Sequence, residues 1–147
     1  NVFRLFSSDI GLLTSAYPAE TKVELINKNG EVNNGAHFEN AVAQQLSANG
    51  FEPYFCKKKN LGELDFVIEM GGKVVPIEVK SGKSYKVHKA LDNFMNVSDY
   101  HIEKAYVFST SNVEKAGTVT YLPIYMCYLL KEQQIGKMIV DLDIDGL

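Results

Sequence analysis

The chain has 147 residues, of which 46% are hydrophobic and 22% charged, and it carries a formal net charge of −3 at pH 7. This is ordinary composition for one domain that buries a core of its own. The acidic balance argues against a general nucleic-acid coat, and no apolar run approaches the roughly 20 residues of a membrane span. The two cysteines, Cys56 and Cys127, have no neighbours at zinc spacing, so we expect reduced thiols in a cytoplasmic protein.

The N-terminal quarter of the chain gives uneven signals. Phe3–Phe6 is predicted to be a short strand, and residues 9–13 a short capped helix. Residues 18–35 hold a proline and two glycines, so they are predicted to be rich in loops, with a strand at Lys22–Ile26. Because the chain opens without an initiator methionine or a signal-peptide pattern, we expect it to be a piece of a longer protein.

Residues 36 to 110 follow the order α-β-β-β-α-β. The first helix is indicated by an apolar stripe at Phe38, Val42 and Leu46, four residues apart. The predicted elements of this core are a helix over 36–48, strands over 51–57, 63–70 and 73–80, a helix over 85–97 and a strand over 104–109. The tail adds a strand near 118–122, a short helix after Pro123 and a last apolar stretch over 138–142.

The second and third strands are joined by Gly71-Gly72, which predicts a two-residue hairpin loop. Met70 then faces Lys73, and the same register places Asp65 opposite Glu78 and Glu63 opposite Lys80. Side chains two apart share one face of a strand. The register therefore predicts one polar face, with Leu64, Phe66, Ile77 and Val79 on the opposite face towards the core.

The chemistry is concentrated on that polar face. Directly opposed carboxylates have Cβ atoms about 5 Å apart, and two like charges there are destabilising unless a cation lies between them. Oxygen ligands suit Mg²⁺ or Mn²⁺, so Asp65 and Glu78 are candidate metal ligands. Lys80 is a candidate catalytic residue that orients the attacking water or neutralises charge on phosphorus. The alternative is an exposed hairpin whose acids pair with Lys73, Lys80 and Lys83.

Two further groups are candidates for the same site. Glu39 lies at the edge of the apolar stripe of the first helix, where it is either a third metal ligand or an acid favoured by the helix dipole. Between Lys57 and Lys89 there are eight lysines and four acids, a local balance of +4. These lysines are either a solvated loop or a DNA-backbone contact; the candidate contacts are Lys57, Lys58, Lys59, Lys83, Lys86 and Lys89.

Two other patterns carry no function. Gly82-Lys83-Ser84 is similar to the end of a phosphate-binding loop, but the position that requires the preceding glycine is Ile77. The three histidines, His37, His88 and His101, are scattered along the chain, and none is assigned a role.

Gly62-Glu63-Leu64-Asp65 followed by Ile77-Glu78-Val79-Lys80 resembles the PD-(D/E)XK nuclease signature, with leucine in place of the proline. More closely, the chain resembles the nuclease-like module at the C-terminus of many prokaryotic AAA-type ATPases. The resemblance also covers the segments 5–13, Phe38-Glu39-Asn40 and 121–126.

The resemblance implies a restriction-endonuclease-like α/β fold, with a mixed sheet flanked by helices. It implies Asp65 and Glu78 as ligands of Mg²⁺ or Mn²⁺, with the carbonyl of Val79 completing the shell, Lys80 as the catalytic lysine and Glu39 as the helix acid. We therefore expect a single domain over 1–147, the C-terminal part of a larger ATPase, acting as a metal-dependent DNA endonuclease. The alternative is a non-catalytic DNA- or protein-binding module that regulates or tethers the ATPase. The partners expected are DNA and the ATPase domain, with no membrane.

Overall fold

A computed structural model describes residues 3–27 and 34–132. The described chain contains four α-helices, six strands and two short 3-10 helices, and the predicted order α-β-β-β-α-β is confirmed from α3 to β4. The helices are α1 (Ile10–Ser15), α2 (Ala19–Asn27), α3 (Gly35–Ala48) and α4 (Lys89–Met95), with 3-10 turns at Ser98–Tyr100 and Ile124–Leu129. The strands are β1 (Tyr54–Lys58), β2 (Gly62–Met70), β3 (Lys73–Val79), β4 (Ala105–Ser109), β5 (Glu114–Ala116) and β6 (Val119–Pro123).

The strands form one six-stranded mixed sheet in the order β1-β2-β3-β4-β6-β5. The first three strands are an antiparallel meander, β3 and β4 run parallel, as do β4 and β6, and β5 is an antiparallel edge strand. The predicted mixed sheet flanked by helices is therefore confirmed. None of the described helices is long and apolar enough to cross a membrane.

Two hydrophobic clusters pack on opposite faces of this sheet. On one face α3 buries Val42 and Leu46 against a cluster that includes Phe66 and Phe108. On the other face α4 buries Leu91 and Phe94 with Val107 and Tyr121. The helical stripe of α3 and the alternation of the strands thus produce a three-layer core.

The hairpin between β2 and β3 has the predicted register. Met70 pairs with Lys73, and the ladder continues to Phe66 opposite Ile77. Gly71 and Gly72 have φ angles of 62° and 74°, the left-handed pair that a primed two-residue turn requires. The predicted pairing of Asp65 with Glu78 lies one position beyond this ladder and stays a prediction.

The prediction that Leu64 faces the same core as Phe66 is wrong. Between β1 and β2 the register shifts, because Tyr54–Cys56 on β1 spans Leu64–Val67 on β2, one residue more. An extra residue reverses the alternation of side chains. Leu64 therefore packs in the α4 cluster, whereas Phe66 packs in the α3 cluster.

Two predictions for the N-terminal segment are also wrong. Lys22–Ile26 is not a strand but part of α2, which begins after Pro18 and whose Lys22 amide donates to the Pro18 carbonyl at 3.1 Å. Proline is tolerated at a helix start, so it marked a beginning rather than a loop. Phe3–Phe6 joins no strand. The apolar stretch 138–142 lies outside the described residues.

Candidate active site at the ends of β2 and β3

Asp65 lies where the β2–β3 ladder stops. Its side chain is nearly buried, and its Oδ2 accepts the backbone N–H of Val79 at 2.8 Å. The amide of Lys80 donates to the Phe108 carbonyl on β4 at 2.8 Å. Asp65 thus takes over a main-chain donor that the ladder leaves without a carbonyl partner, which fixes the carboxylate against β3.

Glu78 is the other buried acid, with 6% of its surface exposed. Its Oε1 accepts from Lys80 Nζ at 2.6 Å, whereas its Oε2 is buried without a hydrogen-bond partner. Burial, and then the charge of Asp65, raise the pKa of Glu78 to about 7, although Lys80 opposes the shift. A buried carboxylate oxygen without a donor is costly, so this position favours a proton or a cation.

Arg4, which the sequence did not predict, joins three carboxylates that lie on two elements, α3 and β2. Its Nη1 lies 3.2 Å from both Glu39 Oε2 on α3 and Asp65 Oδ1 on β2. Its Nε donates to Glu63 Oε1 at 3.1 Å, and its Nη2 contacts the same oxygen. Burial acts to lower the pKa of Arg4, but hydrogen bonds to Glu63 and Asp65 raise it overall.

The N-terminal segment that carries Arg4 is held on α3. Asn40, 2% exposed, accepts from the Ser7 amide at 2.7 Å and donates to the Ser7 carbonyl at 3.2 Å. The Phe6 ring lies 5.3 Å from that of Phe66, and the Arg4 guanidinium lies 5.8 Å from the Phe55 ring. The only sequence signal is that Arg4 is the single arginine beside 14 lysines.

The structure brings Glu39 to Asp65, since both carboxylates contact one nitrogen of Arg4. Burial, and then the charge of Asp65, raise the pKa of Glu39, while Arg4 opposes the shift. Glu63 differs, because hydrogen bonds from Lys57 and Arg4 lower its pKa. Glu63 forms an ion pair with Lys57, and Lys80 forms one with Glu78. The predicted position of Glu63 opposite Lys80 lies beyond the β2–β3 ladder and stays a prediction.

The candidate DNA-binding lysines are all exposed. Three have a partner: Lys57 pairs with Glu63 at 2.7 Å, Lys86 pairs with Glu114 at 2.7 Å, and Lys58 contacts the Tyr100 hydroxyl.

The turn after Lys59 packs on the start of α4. Asn93 Nδ2 donates to the Leu61 carbonyl at 3.0 Å, and a Cβ on Gly62 would lie 2.9 Å from that of Ala90. Lysines far apart in sequence, such as Lys59 and Lys89, thereby flank one end of the sheet. The six candidates are Lys57, Lys58, Lys59, Lys83, Lys86 and Lys89.

His88 is buried, which its sequence context did not indicate. Its Nε2 lies 2.7 Å from the Tyr121 hydroxyl, and its Nδ1 lies 2.9 Å from Asp92 Oδ1 without hydrogen-bond alignment. Burial, and then the charge of Asp92, raise the pKa of Tyr121. These contacts tie the first residues of α4 to β6, so His88 has a structural place in the core.

The placement of the acids around Asp65 falls short of a complete metal site, but the unpartnered oxygen of Glu78 fits a divalent cation. Within residues 3–27 and 34–132, no group of three or more His, Cys, Asp or Glu side chains is placed to hold a metal ion. Mg²⁺, however, is commonly bound through one or two carboxylates and completed by water and phosphate. The buried, unpartnered Oε2 of Glu78 beside Asp65 fits that kind of site.

The fold and this cluster define a mixed α/β domain with an acidic centre at the ends of two antiparallel strands. The family described as Domain of unknown function (DUF4143) matches residues 34–127, more than half of the chain, and the chain belongs to this family. No curated protein and no solved structure matches the chain. The match includes α3, the hairpin and the candidate site residues from Glu39 to Lys89, whereas Arg4 lies outside it.

Proposed function

We propose that this domain is a metal-dependent DNA endonuclease that hydrolyses phosphodiester bonds with Mg²⁺ or Mn²⁺. The observation that carries the proposal is the Oε2 of Glu78, a buried carboxylate oxygen without a donor next to a second acid. Lys80 and Arg4 each balance one of the two carboxylates, but neither contacts Glu78 Oε2. A divalent cation would satisfy this oxygen and offset the remaining repulsion.

The proposed ligands are Asp65 and Glu78, with the carbonyl of Val79. Glu39, the proposed helix acid, shares Arg4 Nη1 with Asp65 and would complete the shell only after a rearrangement. When bound, the metal would supply Lewis-acid polarisation of the phosphate and acidify a water. The Asp65–Val79 hydrogen bond holds one carboxylate rigidly, which is what a catalytic ligand requires. Lys80 lies 2.6 Å from Glu78 at the same strand end, with 31% of its side chain exposed. It neutralises charge that develops on the phosphate.

The proposed DNA contact is the lysine-rich end of the sheet. The packing of the turn after Lys59 on α4 places Lys59 and Lys89 on the side of the sheet where β3 ends. Phosphate contacts of this kind position the backbone without reading sequence. The contacts proposed are Lys57, Lys58, Lys59, Lys83, Lys86 and Lys89.

The module to which the chain is similar occurs at the C-terminus of AAA-type ATPases. We propose that the domain acts in that setting, joined to an ATPase domain of the same polypeptide. Expression of the domain with and without an adjoining ATPase domain tests this: an effect of ATP on DNA cleavage supports it, and cleavage unchanged by ATP contradicts it.

The activity is tested by incubating the domain with plasmid and branched DNA and Mg²⁺ or Mn²⁺. Lys80→Ala should abolish cleavage, and circular dichroism should show that the fold is kept, because Lys80 lies outside both buried hydrophobic clusters. Lys57→Ala, Lys58→Ala and Lys59→Ala together should weaken DNA binding and flatten its salt dependence, by roughly one counterion per lost phosphate contact.

A matched control is available at the opposite end of the sheet. Lys73, Lys104 and Lys115 line a cleft of about 910 Å³ where β3 and β4 begin, away from Glu78. Replacing these three lysines by alanine removes the same charge and should leave the salt dependence of DNA binding unchanged. Cleavage that survives Lys80→Ala would contradict the assigned site, and DNA binding without cleavage would favour the non-catalytic module.

A further inference from the structure

The oxygens of the acidic cluster are largely occupied by groups of the chain itself. Asp65 accepts a hydrogen bond from the Val79 amide at Oδ2 and one from Arg4 Nη1 at Oδ1. Glu39 Oε2 accepts from the same nitrogen of Arg4. The Val79 amide belongs to the sheet and is fixed. Lys80 donates to Glu78, so the exchangeable donor to Asp65 and Glu39 is the guanidinium of Arg4.

A guanidinium and a divalent cation bind to the same carboxylates. Both are positive, and at contact distance in a partly buried site they repel one another. Arg4 has 22% of its side chain exposed, so it can leave to solvent, whereas Asp65 and Glu78 are nearly buried. A cation that binds Asp65 Oδ1 must displace Arg4 or share its oxygen with it.

We infer that the N-terminal segment is a built-in cap on the site, in which Arg4 occupies the position of the divalent cation and must leave before the cation binds. The inference rests on the proposed metal site. The segment is suited to this role because the contacts that hold residues 3–7 come from side chains. They are the two hydrogen bonds between Ser7 and Asn40, the Phe6–Phe66 contact, the Arg4–Phe55 contact and the Arg4 ion pairs. These contacts can break without changing the pairing of the strands, so the cap can open without unfolding the domain.

The test is Mn²⁺ binding to the full chain, measured by calorimetry. Arg4→Gln removes the competing cation and should tighten Mn²⁺ binding by on the order of tenfold, since a charge-assisted contact is lost only from the metal-free state. Lys22→Gln is the matched control: it removes one charge from the same N-terminal region, where Lys22 contacts the Ser15 carbonyl. This control should bind Mn²⁺ as the wild type does.

A second variant opens the cap without touching Arg4 or the acids. Asn40→Ala removes both hydrogen bonds to Ser7 and should also tighten Mn²⁺ binding, by less than Arg4→Gln. Adding Asp65→Asn to Arg4→Gln should abolish the gain in Mn²⁺ affinity.

A thermal-melting measurement gives a second readout. Metal-free Arg4→Gln should melt at a lower temperature than the metal-free wild type, and Mn²⁺ should raise the melting temperature of Arg4→Gln more than that of the wild type.

Mn²⁺ affinity that is equal or weaker in Arg4→Gln overturns the cap, and so does undetectable binding in both proteins. The proposed function fails separately. Tighter binding by Arg4→Gln without DNA cleavage by any variant leaves the cap standing and removes the nuclease. Cleavage by wild type and Arg4→Gln with equal Mn²⁺ affinity leaves the nuclease standing and removes the cap.

Discussion

Asp65 Oδ2 lies 2.8 Å from the backbone nitrogen of Val79, so a side chain closes the hydrogen-bond ladder of the β2–β3 hairpin. The last main-chain pair is Phe66 with Ile77. Beyond it β2 carries the extra residue that shifts its register against β1. Asp65 is therefore both a candidate ligand and the residue that holds β3 in place where β2 departs.

These two roles of Asp65 can be separated by substitution. Asp65→Asn keeps an oxygen that accepts from Val79, whereas Asp65→Ala leaves that buried amide without a partner. An unpaired buried donor costs about 1–3 kcal/mol, so Asp65→Ala should lose that much stability more than Asp65→Asn in urea unfolding. Both variants should lose Mn²⁺ binding. Equal stability of the two variants would mean that water replaces the carboxylate at Val79.

Glu78 predicts a pH dependence of stability for the metal-free protein. Its folded pKa of about 7 is above the ordinary 4.5, so folding favours the protonated acid. The contribution is full below pH 4.5 and is lost as the pH rises through 7, by on the order of 3 kcal/mol. Urea unfolding from pH 4.5 to 8 of wild type and Glu78→Gln should give curves that converge at low pH and differ at high pH, with Glu78→Gln the more stable. A difference that does not change with pH would contradict the raised pKa.

The hairpin was predictable because it depends on local sequence. Gly71-Gly72 determines the turn, and the turn determines the register from Met70 opposite Lys73 onward. The position of Leu64 was not predictable, because the shift between β1 and β2 depends on pairing with a third strand. Arg4 was missed for the same reason: its partners are 35 to 61 residues away in sequence, and no periodic pattern records such a contact.

His88 and Tyr121 give a prediction about the core beneath α4. Tyr121→Phe removes the hydroxyl 2.7 Å from the buried Nε2 of His88, and leaving that nitrogen without a partner should cost about 1–3 kcal/mol. Tyr125→Phe is the control, because Tyr125 is 69% exposed and should change stability little. Urea unfolding measures both variants. A Tyr121→Phe protein as stable as the control would mean that water replaces the hydroxyl at His88 Nε2.

The glycines supply a graded test of the packing that places the lysine-rich turn on α4. Gly82 has no atom within 4 Å of its missing Cβ and lies outside the left-handed region, so Gly82→Ala should be neutral or slightly stabilising. Gly72 has open space but a φ of 74°, so Gly72→Ala should cost about 1–2 kcal/mol from backbone strain alone. Gly62 has a φ of 103° and would place its Cβ 2.9 Å from the Cβ of Ala90, a short side chain that cannot turn away.

Gly62→Ala should therefore lose more stability than Gly72→Ala, by a further 1–3 kcal/mol or so, as overpacking does. Replacing both Gly62 and Ala90, as Gly62→Ala with Ala90→Gly, relieves the contact and should recover part of that loss, although α4 then carries a glycine near its start. Thermal and urea unfolding of the four variants measure the order. If Gly62→Ala is no worse than Gly72→Ala, the β1–β2 turn does not rest on α4, and Lys59 and Lys89 do not share one end of the sheet. In that case the lysines would act as separate surface charges. The triple variant of Lys57, Lys58 and Lys59 should then weaken DNA binding no more than the control variant at the opposite end of the sheet.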